Sequence, residues 1–228
     1  MDEQKRDIQK KIAGEKAAEY IKDGMTIGLG SGSTVYWMLK KLGEMVEQGM
    51  NVKGIPSSIR TEAWAREFGI PLTDFSEVQL LDLSIDGANE IDLQFNLSKG
   101  GGGSLVREKI IDANSTKLII IADESKLVSQ LGKAPLPVEI LQFGWEVTVM
   151  KIAQLGCNPV LRIREGVSFV SDNGNYIIDC KFDSIPNPVK LHQELKEMVG
   201  VVETGLFIGM TDIVILAGET EVKVIESK

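Results

Sequence analysis

The stretch that decides the fold is Met25-Thr26-Ile27-Gly28-Leu29-Gly30-Ser31-Gly32-Ser33-Thr34. Its apolar first half predicts a short buried strand, and the helical spacing of Tyr36, Leu39 and Leu42 predicts an amphipathic helix after it. Between the two, glycines alternate with small residues, a pattern that allows backbone N–H groups to surround an anion at a helix N-terminus. A tight turn with a serine cap on the helix would explain the loop equally well.

Two nucleotide-binding motifs are excluded in this loop. Ser33 occupies the position of the third glycine in the dinucleotide fingerprint G-x-G-x-x-G, and no G-K-[ST] follows at the Walker spacing. A phosphate on a small molecule therefore fits the loop better than a nucleotide does. The candidate anion-binding residues are Gly30, Ser31, Gly32, Ser33 and Thr34.

The segments on either side of this stretch predict a parallel sheet. Apolar runs at residues 51–55, 80–85 and 117–122 predict strands, and helical spacing predicts helices over the first twenty residues and over residues 61–68. Strands separated by helices need crossover connections, which implies a parallel sheet with helices on both faces. The apolar face of the first helix is expected to carry Ile8, Ile12, Ala17, Tyr20 and Ile21.

After Gly132 the pattern changes to that of a small α+β unit of ferredoxin-like type. Helices are predicted at residues 145–155 and 188–199, and a strand at residues 159–164. A hairpin is predicted at residues 168–181, because Asp172-Asn173-Gly174-Asn175 is a strong tight-turn motif. A further strand is expected to begin at Gly200.

The last apolar runs, at residues 212–217 and 221–225, resemble strands that return to the first sheet. The small unit is therefore predicted to be an insertion. Residues 1–131 plus 205–228 form one predicted domain, and residues 132–204 form the other.

Composition narrows the function. The chain has 33 acidic and 25 basic residues, a formal net charge of -8 and a pI of about 4.9. This balance disfavours general binding to nucleic acid or to an anionic membrane, because both need a basic face. No apolar run approaches the ~18 residues of a membrane span, and the N-terminus has no signal-peptide pattern, so we expect a cytoplasmic protein.

Cysteine and histidine usage limits the chemistry further. Cys157 and Cys180 match neither a disulfide framework nor a zinc-ligand spacing, which indicates reduced thiols. The single histidine, His192, lies in a helix-like stretch, where a half-exposed helix residue is the ordinary interpretation and a catalytic role the alternative. One histidine excludes a His-cluster metal site and a Ser-His-Asp triad within the chain. We therefore predict neither metal nor cofactor, although a magnesium site made of carboxylates alone stays open.

Four further polar or glycine-rich loops are candidates, and three of them follow predicted strands. Because ligands bind at the carboxyl ends of parallel strands, we expect all five loops at one edge of the sheet. Each loop alone has an ordinary interpretation, but ordering four consecutive glycines loses much backbone entropy, which favours a function there. The four are Ser57-Ser58 with Thr61 opening the next helix, Asp86-Gly87-Ala88-Asn89-Glu90-Ile91-Asp92, the stretch from Lys99 through Gly100-Gly101-Gly102-Gly103 to Lys109, and Asp123-Glu124-Ser125-Lys126.

With Leu105-Val106-Arg107-Glu108-Lys109 and residues 131–139 and 200–207, these motifs resemble the A-type ribose-5-phosphate isomerase family. The resemblance covers nearly the whole chain, in order. It implies an α/β fold with a Rossmann-like parallel sheet domain and an inserted ferredoxin-like α+β domain. It also implies an isomerase of the pentose phosphate pathway that interconverts D-ribose 5-phosphate and D-ribulose 5-phosphate, and a homodimer or homotetramer.

The resemblance also implies roles for single residues. Glu108 matches the family's general base, which moves a proton between C2 and C1 through a cis-enediolate. Asp86 matches a carboxylate associated with opening the furanose ring, and Lys99 matches a cation that stabilises the developing oxyanion. The implied substrate-binding residues are Gly30, Ser31, Gly32, Ser33, Thr34, Ser57, Ser58, Asp86, Gly87, Ala88, Asn89, Lys99, Gly100, Gly101, Gly102 and Lys126.

One position departs from the family pattern. The acidic loop commonly has a second aspartate where this chain carries Asn89. Asparagine accepts and donates hydrogen bonds but does not transfer a proton. Glu90 is a neighbouring carboxylate that could substitute for the missing aspartate.

Other functions fit parts of the sequence. A sugar-phosphate deaminase would be expected to use a catalytic histidine, and His192 lies far along the chain from the five loops. A CoA transferase would use a glutamate nucleophile and a larger cofactor cleft. A sugar-phosphate sensor would bind without turnover, but such regulators usually carry a basic helix-turn-helix domain, for which no residues are left.

Overall fold

The computed structural model describes residues 3–218 and 221–227. Five residues inside the predicted domain limits, Met1, Asp2, Glu219, Thr220 and Lys228, lie outside this described part. The helices are α1 (Glu3–Ala18), α2 (Ser33–Glu47), α3 (Ile59–Glu67), α4 (Leu105–Ala113), α5 (Trp145–Ala153) and α6 (Pro188–Lys196), with a short 3-10 helix at Glu124–Lys126.

The strands fall into two larger sheets and two small ones. They are β1 (Thr26–Leu29), β2 (Lys53–Pro56), β3 (Leu83–Gly87), β4 (Glu90–Ile91), β5 (Leu97–Ser98), β6 (Leu118–Asp123), β7 (Leu136–Ile140), β8 (Asn158–Leu161), β9 (Ile163–Arg164), β10 (Val167–Ser168), β11 (Tyr176–Lys181), β12 (Val201–Thr204), β13 (Leu206–Phe207), β14 (Ile213–Ala217) and β15 (Val222–Glu226).

The chain divides into two compact units, and the first comprises the described residues up to Ala88, Arg107–Lys126 and those from Met210 onward. Its six-stranded sheet has the order β15-β14-β6-β3-β1-β2 and is parallel except for β15. From β1 the chain continues to β2 on one side, and from β3 it continues to β6 on the other side. The adjacent strands β1 and β3 therefore mark the point where the strand order reverses. In sheets of this kind, the crevice beyond the carboxyl ends of such strands is where ligands bind.

The central strands of this sheet are buried and largely apolar, as expected of a parallel sheet covered by helices. Every residue of β6 and of β14 is buried. Ile27, Leu29 and Ile85 are also fully buried and belong to the same core as α1 and α2. This packed sheet fixes the strand ends from which the site loops leave.

Helix α1 lies where the sequence predicts it, but the predicted buried face was partly wrong. Ile8 and Ile12 are exposed, whereas Ala13, Ala17 and Ala18 are buried. Helix α1 packs closely against α2. The two backbones approach at Gly14, where an added Cβ would lie 2.7 Å from the Met38 nitrogen and 3.0 Å from the Thr34 carbonyl oxygen, so a larger residue would not fit there.

The second unit comprises Asn89–Val106 and Leu127–Gly209. Its four-stranded antiparallel sheet has the order β12-β7-β11-β8, with α5 between β7 and β8 and α6 between β11 and β12. This is the βαββαβ arrangement of a ferredoxin-like fold. The predicted fold class, a Rossmann-like parallel sheet with a ferredoxin-like α+β unit, is confirmed. A separate three-stranded sheet, β13-β5-β4, also belongs to this unit.

Two details of the second unit differ from the sequence prediction. The tight turn is present, since the Gly174 N–H donates to the Ser171 carbonyl at 2.9 Å, and Val170 pairs with Tyr176 across it in one antiparallel bridge, but β10 pairs with β9 instead of β11. Strand β11 pairs with β7 and β8. Strand β7 was not predicted because Pro135 and Pro137 suggest a break, although Pro137 lies within this central strand.

Asn89–Val106 belong to the second structural unit, whereas the sequence prediction places them in the first domain. The predicted domain boundaries, residues 1–131 plus 205–228 and residues 132–204, stay a prediction. None of the helices in the described part of the chain is long and apolar enough to cross a membrane.

Candidate active site

In the first unit, the loop after β1 passes directly over Asp86 at the end of β3. The Ser31 N–H donates to Asp86 Oδ1 at 2.9 Å, and the Gly87 N–H donates to the same oxygen at 2.7 Å. A Cβ on Gly30 would lie 2.6 Å from the Asp86 Cα and still closer to its carboxylate. Only glycine fits at Gly30, because real side chains do not approach backbone this closely.

Four hydroxyl groups form a cluster behind this loop: those of Ser31, Ser57, Ser58 and Thr61. Ser31 Oγ lies 2.8 Å from Ser57 Oγ, 2.9 Å from Ser58 Oγ and 3.0 Å from Thr61 Oγ1. Ser58 is also the N-cap of α3, where its Oγ accepts from the Thr61 N–H at 3.0 Å. All but Ser31 are buried, so the cluster is part of the interior of the unit.

The acceptor at the end of this cluster fixes which hydroxyl donates to which. Thr61 Oγ1 donates to the Gly30 carbonyl at 2.8 Å, and a carbonyl oxygen only accepts. Ser58 therefore donates to Thr61, Ser31 donates to Ser58, and Ser57 is left to donate to Ser31. Each hydroxyl has one proton, so all four are used inside the cluster.

The first turn of α2 is the feature of this loop that suits an anion. Gly32 is the N-cap, with φ of 105°, and no side chain caps the helix. The alternative interpretation of this loop, a tight turn with a serine cap on α2, is therefore contradicted as to the cap. Gly32 and Ser33 are exposed and Thr34 is half-buried. Backbone N–H groups at an uncapped helix N-terminus attract negative charge, and the hydroxyls of Ser33 and Thr34 lie beside them in the sequence.

Two of the predicted catalytic residues are buried carboxylates of the first unit. Asp86 is 0% exposed, and Glu108, in the first turn of α4, is 5% exposed. One helical turn after Glu108, Asp112 is also buried and accepts from Ser84 Oγ at 2.7 Å. Buried carboxylates are uncommon in proteins unless they are paired or have a function.

Lys126 ends the short 3-10 helix that follows β6 and is half-buried. The turn before it is held by Asp123, which accepts from the Ser125 N–H at 3.1 Å and also from the Ser125 hydroxyl. Four of the five predicted loops thus follow the carboxyl ends of β1, β2, β3 and β6, as expected.

The glycine run is the exception. It follows β5 of the small three-stranded sheet and belongs to the second unit, so the expectation that all five loops leave one sheet was wrong. Its first residue, Lys99, is 2% exposed, and its N–H donates to the Gly205 carbonyl at 2.8 Å. The Lys99 ammonium lies 5.1 Å from the centre of the Phe207 ring, a cation–π distance that partly offsets the burial of its charge.

The glycines themselves form a tight turn. The Gly103 N–H donates to the Gly100 carbonyl at 3.1 Å, and both residues have positive φ. Gly101 and Gly102 are exposed. The Asn89 side chain packs against Gly101, where an added Cβ would lie 2.8 Å from Asn89 Oδ1. Within this unit, the residue that departs from the family pattern is therefore in direct contact with the glycine run.

Glu90 has a structural role in the second unit. Its Oε2 accepts from the Gly132 N–H at 2.8 Å and its Oε1 from the Ala134 N–H at 2.9 Å. Both carboxylate oxygens hold the segment that leads into β7. Because both of its oxygens hold this segment, Glu90 does not substitute for the aspartate that Asn89 replaces.

The remaining candidates form no further chemical site in the described part of the chain. His192, on α6, shares a hydrogen bond of 2.7 Å with Thr204 Oγ1. No group of three or more His, Cys, Asp or Glu side chains that could hold a metal ion occurs among residues 3–218 and 221–227.

Thr61 was not among the predicted site residues, although its hydroxyl contacts the loop after β1. The local sequence contained a usable signal. Ser58 is an N-cap, and a threonine three residues after an N-cap places its side chain close to the cap. Which carbonyl that hydroxyl reaches depends on a pairing between β1 and β2, which the local sequence does not specify.

Comparison with known proteins adds an independent finding. The sequence profile of "Ribose 5-phosphate isomerase A (phosphoriboisomerase A)" matches residues 53–221. The chain is 55% identical to ribose-5-phosphate isomerase A 1 of Oceanobacillus iheyensis, over 95% of this chain and 96% of the relative. It is 52% identical to ribose-5-phosphate isomerase A of Bacillus mycoides, over 94% of this chain and 97% of the relative.

Solved structures agree with the sequence matches. Ribose 5-phosphate isomerase from Plasmodium falciparum superposes with a TM-score of 0.94 at 41% identity, covering 97% of this chain and 99% of that one. A D-ribose-5-phosphate isomerase in complex with phospho-erythronic acid superposes with a TM-score of 0.93 at 37% identity, covering 96% and 98%.

The sheet order, the hydroxyl-lined loops and the glycine run, together with these matches, define an isomerase that acts on a sugar phosphate. The chain belongs to the ribose 5-phosphate isomerase A family, which interconverts ribose 5-phosphate and ribulose 5-phosphate. This assignment selects the isomerase among the functions that the sequence left open.

Proposed function

We propose that this chain isomerises ribose 5-phosphate by proton transfer through a cis-enediolate, with Glu108 as the general base. The observation that carries the proposal is the burial of the Glu108 carboxylate in the first turn of α4, directly after the glycine run. Glu108 removes the proton from C2 and returns it to C1. Because Glu108 is buried, little water is present to take up that proton in its place. Little water reaches the reactive enediolate for the same reason.

Asp86 handles the hydroxyl protons that ring opening requires. Its Oδ1 is held by the N–H groups of Ser31 and Gly87, which fixes the plane of the carboxylate. A carboxylate held in this way is positioned to accept a proton from a sugar hydroxyl and to return it. Gly30 makes this arrangement possible because its backbone lies against Asp86.

Lys99 stabilises the oxyanion of the enediolate. Its charge is buried and lies beside the Phe207 ring, where it acts in a medium less polar than water. The exposed N–H groups of the glycine run are further donors to the sugar oxygens. Those of Gly101 and Gly102 lie two and three residues after Lys99 in the chain.

The phosphate binds at the N-terminus of α2, to the N–H groups there, the hydroxyls of Ser33 and Thr34, and Lys126. The hydroxyls of Ser31, Ser57 and Ser58 have a different role, because their protons are used inside the buried cluster. They support the loop, and their remaining lone pairs accept hydrogen bonds. The ligand of one structural relative, phospho-erythronic acid, combines a phosphate with a carboxylate that resembles an enediolate in charge.

The finer assignments follow from the same family membership. We propose a homodimer or homotetramer in the cytoplasm, with residues 1–131 plus 205–228 and residues 132–204 as its folding domains. The reaction needs no cofactor or metal ion, because Glu108 and Lys99 supply the base and the electrophile. Neither nucleic acid nor membrane is a partner of this acidic chain.

The reaction in D₂O, followed by NMR, tests the proposal. Proton transfer through an enediolate exchanges the transferred proton with solvent, so ribulose 5-phosphate formed from ribose 5-phosphate should carry deuterium at C1. Product that stays free of deuterium at C1 after many forward and reverse turnovers would indicate a hydride shift and contradict the proposed mechanism, because even slow exchange at Glu108 accumulates over repeated turnovers.

A further inference from the structure

In the second unit, Arg162 connects β8 to β9 and is held rigidly. Its Nε donates to Asp179 Oδ2 at 2.8 Å and its Nη2 to Asp179 Oδ1 at 2.5 Å, a bidentate pair. The backbone of Arg162 is fixed as well, since its N–H donates to the Ile177 carbonyl and its carbonyl accepts from the Phe169 N–H, both at 2.8 Å. The side chain is only 11% exposed. The Asp179 pair neutralises the charge of Arg162 and leaves Nη1 available.

That remaining nitrogen contacts the glycine run. Arg162 Nη1 donates to the Gly100 carbonyl at 2.9 Å and lies 3.3 Å from the Gly101 carbonyl. The Phe169 ring, 5.8 Å from the guanidinium carbon, occupies the space where a side chain on Gly103 would lie. Arg162 lies about sixty residues from the glycine run in sequence, yet it binds the carbonyls of the first two glycines of the run.

The effect of these bonds follows from the planar peptide group. The carbonyl of Gly100 shares a peptide plane with the N–H of Gly101, and the carbonyl of Gly101 shares one with the N–H of Gly102. In a trans peptide the N–H points opposite to the C=O. Holding both carbonyls toward Arg162 therefore directs both N–H groups away from it. Donation from a cation also polarises each peptide group, which makes its N–H a stronger donor.

We propose that Arg162 is a positioning residue of the isomerase: through the carbonyls of Gly100 and Gly101, it orients the N–H groups of Gly101 and Gly102 toward the sugar oxygens. This inference rests on the proposed function, in which those N–H groups bind the substrate. Asp179 supports Arg162 by holding the guanidinium fork.

The test compares Arg162→Lys with Arg164→Lys. Arg164 is a matched control because it lies 4.5 Å from the same Phe169 ring but is exposed. A lysine ammonium cannot form the fork with Asp179 and also hold both carbonyls. We expect the kcat of Arg162→Lys to fall about tenfold to a hundredfold, less than for complete loss of an oxyanion donor, with KM changed less than about threefold. Arg164→Lys should stay within about twofold of wild type, because an exposed arginine contributes little.

Chemical rescue separates positioning from a structural role. Millimolar guanidinium should restore a large part of the kcat of Arg162→Ala, whereas methylammonium at the same concentration should not. Wild-type kcat in Arg162→Lys would overturn the inference. So would a loss in Arg162→Ala that guanidinium does not restore and that follows a lowered melting temperature. Glu108→Gln is assayed alongside: if it remains active, the proposed function fails, and if it is inactive while Arg162→Lys is unaffected, only this inference fails.

Discussion

Thr61 Oγ1 donates a hydrogen bond of 2.8 Å to the Gly30 carbonyl, which joins the start of α3 to the loop after β1. Gly30 in turn lies against Asp86, and the next residue, Ser31, donates its N–H to that carboxylate. A hydroxyl that does not itself need to contact substrate therefore holds the backbone that fixes Asp86. The cluster of Ser31, Ser57, Ser58 and Thr61 acts as one unit, because each proton has a single acceptor within it.

Replacing Thr61 with valine tests this support. The change keeps the shape of the side chain but leaves the buried Gly30 carbonyl and the Ser58 hydroxyl without their partner. We expect the free energy of unfolding to fall by about 1–3 kcal/mol, the usual effect of an unsatisfied buried polar group. Denaturant titration measures this loss. Thr61→Ser is the control, since it retains the hydroxyl, and equal losses in the two variants would contradict a role for the hydrogen bond.

Gly30→Ala tests the contact between the loop and Asp86. The new methyl group would lie 2.6 Å from the Asp86 Cα, so either the loop or β3 must move. We expect kcat/KM to fall at least about a hundredfold, because misplaced catalytic groups lose activity steeply with distance. For stability, the control is Gly102→Ala, whose methyl group meets no atom within 4 Å and whose φ is not positive. Comparable unfolding free energies for the two variants would contradict the close approach.

Lys126→Met tests the anion site. Loss of a charge-assisted contact to phosphate should raise KM for ribose 5-phosphate by about tenfold or more, with kcat changed only a few-fold. The kinetics of unphosphorylated ribose should not change. Lys117→Met, at an exposed lysine before β6, is the matched control. An unchanged KM in Lys126→Met would remove Lys126 from the phosphate site.

The two cysteines should differ in reactivity. The interaction between the two thiols lowers the pKa of Cys157 and raises that of Cys180, and burial raises the pKa of Cys180 further. Since the thiolate is the nucleophile, iodoacetamide at neutral pH should label the half-buried Cys157 well before Cys180. Peptide mass spectrometry measures the order, and both thiols should react at similar rates in denaturant. Faster labelling of Cys180 in the folded protein would contradict this arrangement.

Sequence predicted the parts of the fold that have strong local patterns. The strand, loop and helix at residues 25–47 carry their own periodicity and glycines, so they were predicted correctly. Strand β7 was missed because its prolines oppose a central strand, and only pairing with β11 and β12 overrides that preference. Ile8 and Ile12 show the same limit, since hydrophobicity alone does not reveal that α1 needs small residues against α2.

The candidate site was predictable where the residues lie in motifs. Asp86, Lys99 and Glu108 each follow a strand or a glycine run and were singled out from sequence. Thr61 was noted in a loop of hydroxyls but given no site role, and Arg162 was not singled out, because their partners are backbone carbonyls far away in sequence. No residue pattern encodes such a contact, since it depends on which strands become neighbours.

The most direct test of the central claim is the kcat of Glu108→Gln compared with that of Asp112→Asn, an equivalent change of a buried carboxylate one turn further along α4. Glu108→Gln should lower kcat by about a thousandfold or more, within or above the range of general-base catalysis, while KM changes only several-fold. Asp112→Asn should retain most of the activity. Turnover by Glu108→Gln at a tenth or more of the wild-type rate would contradict the account.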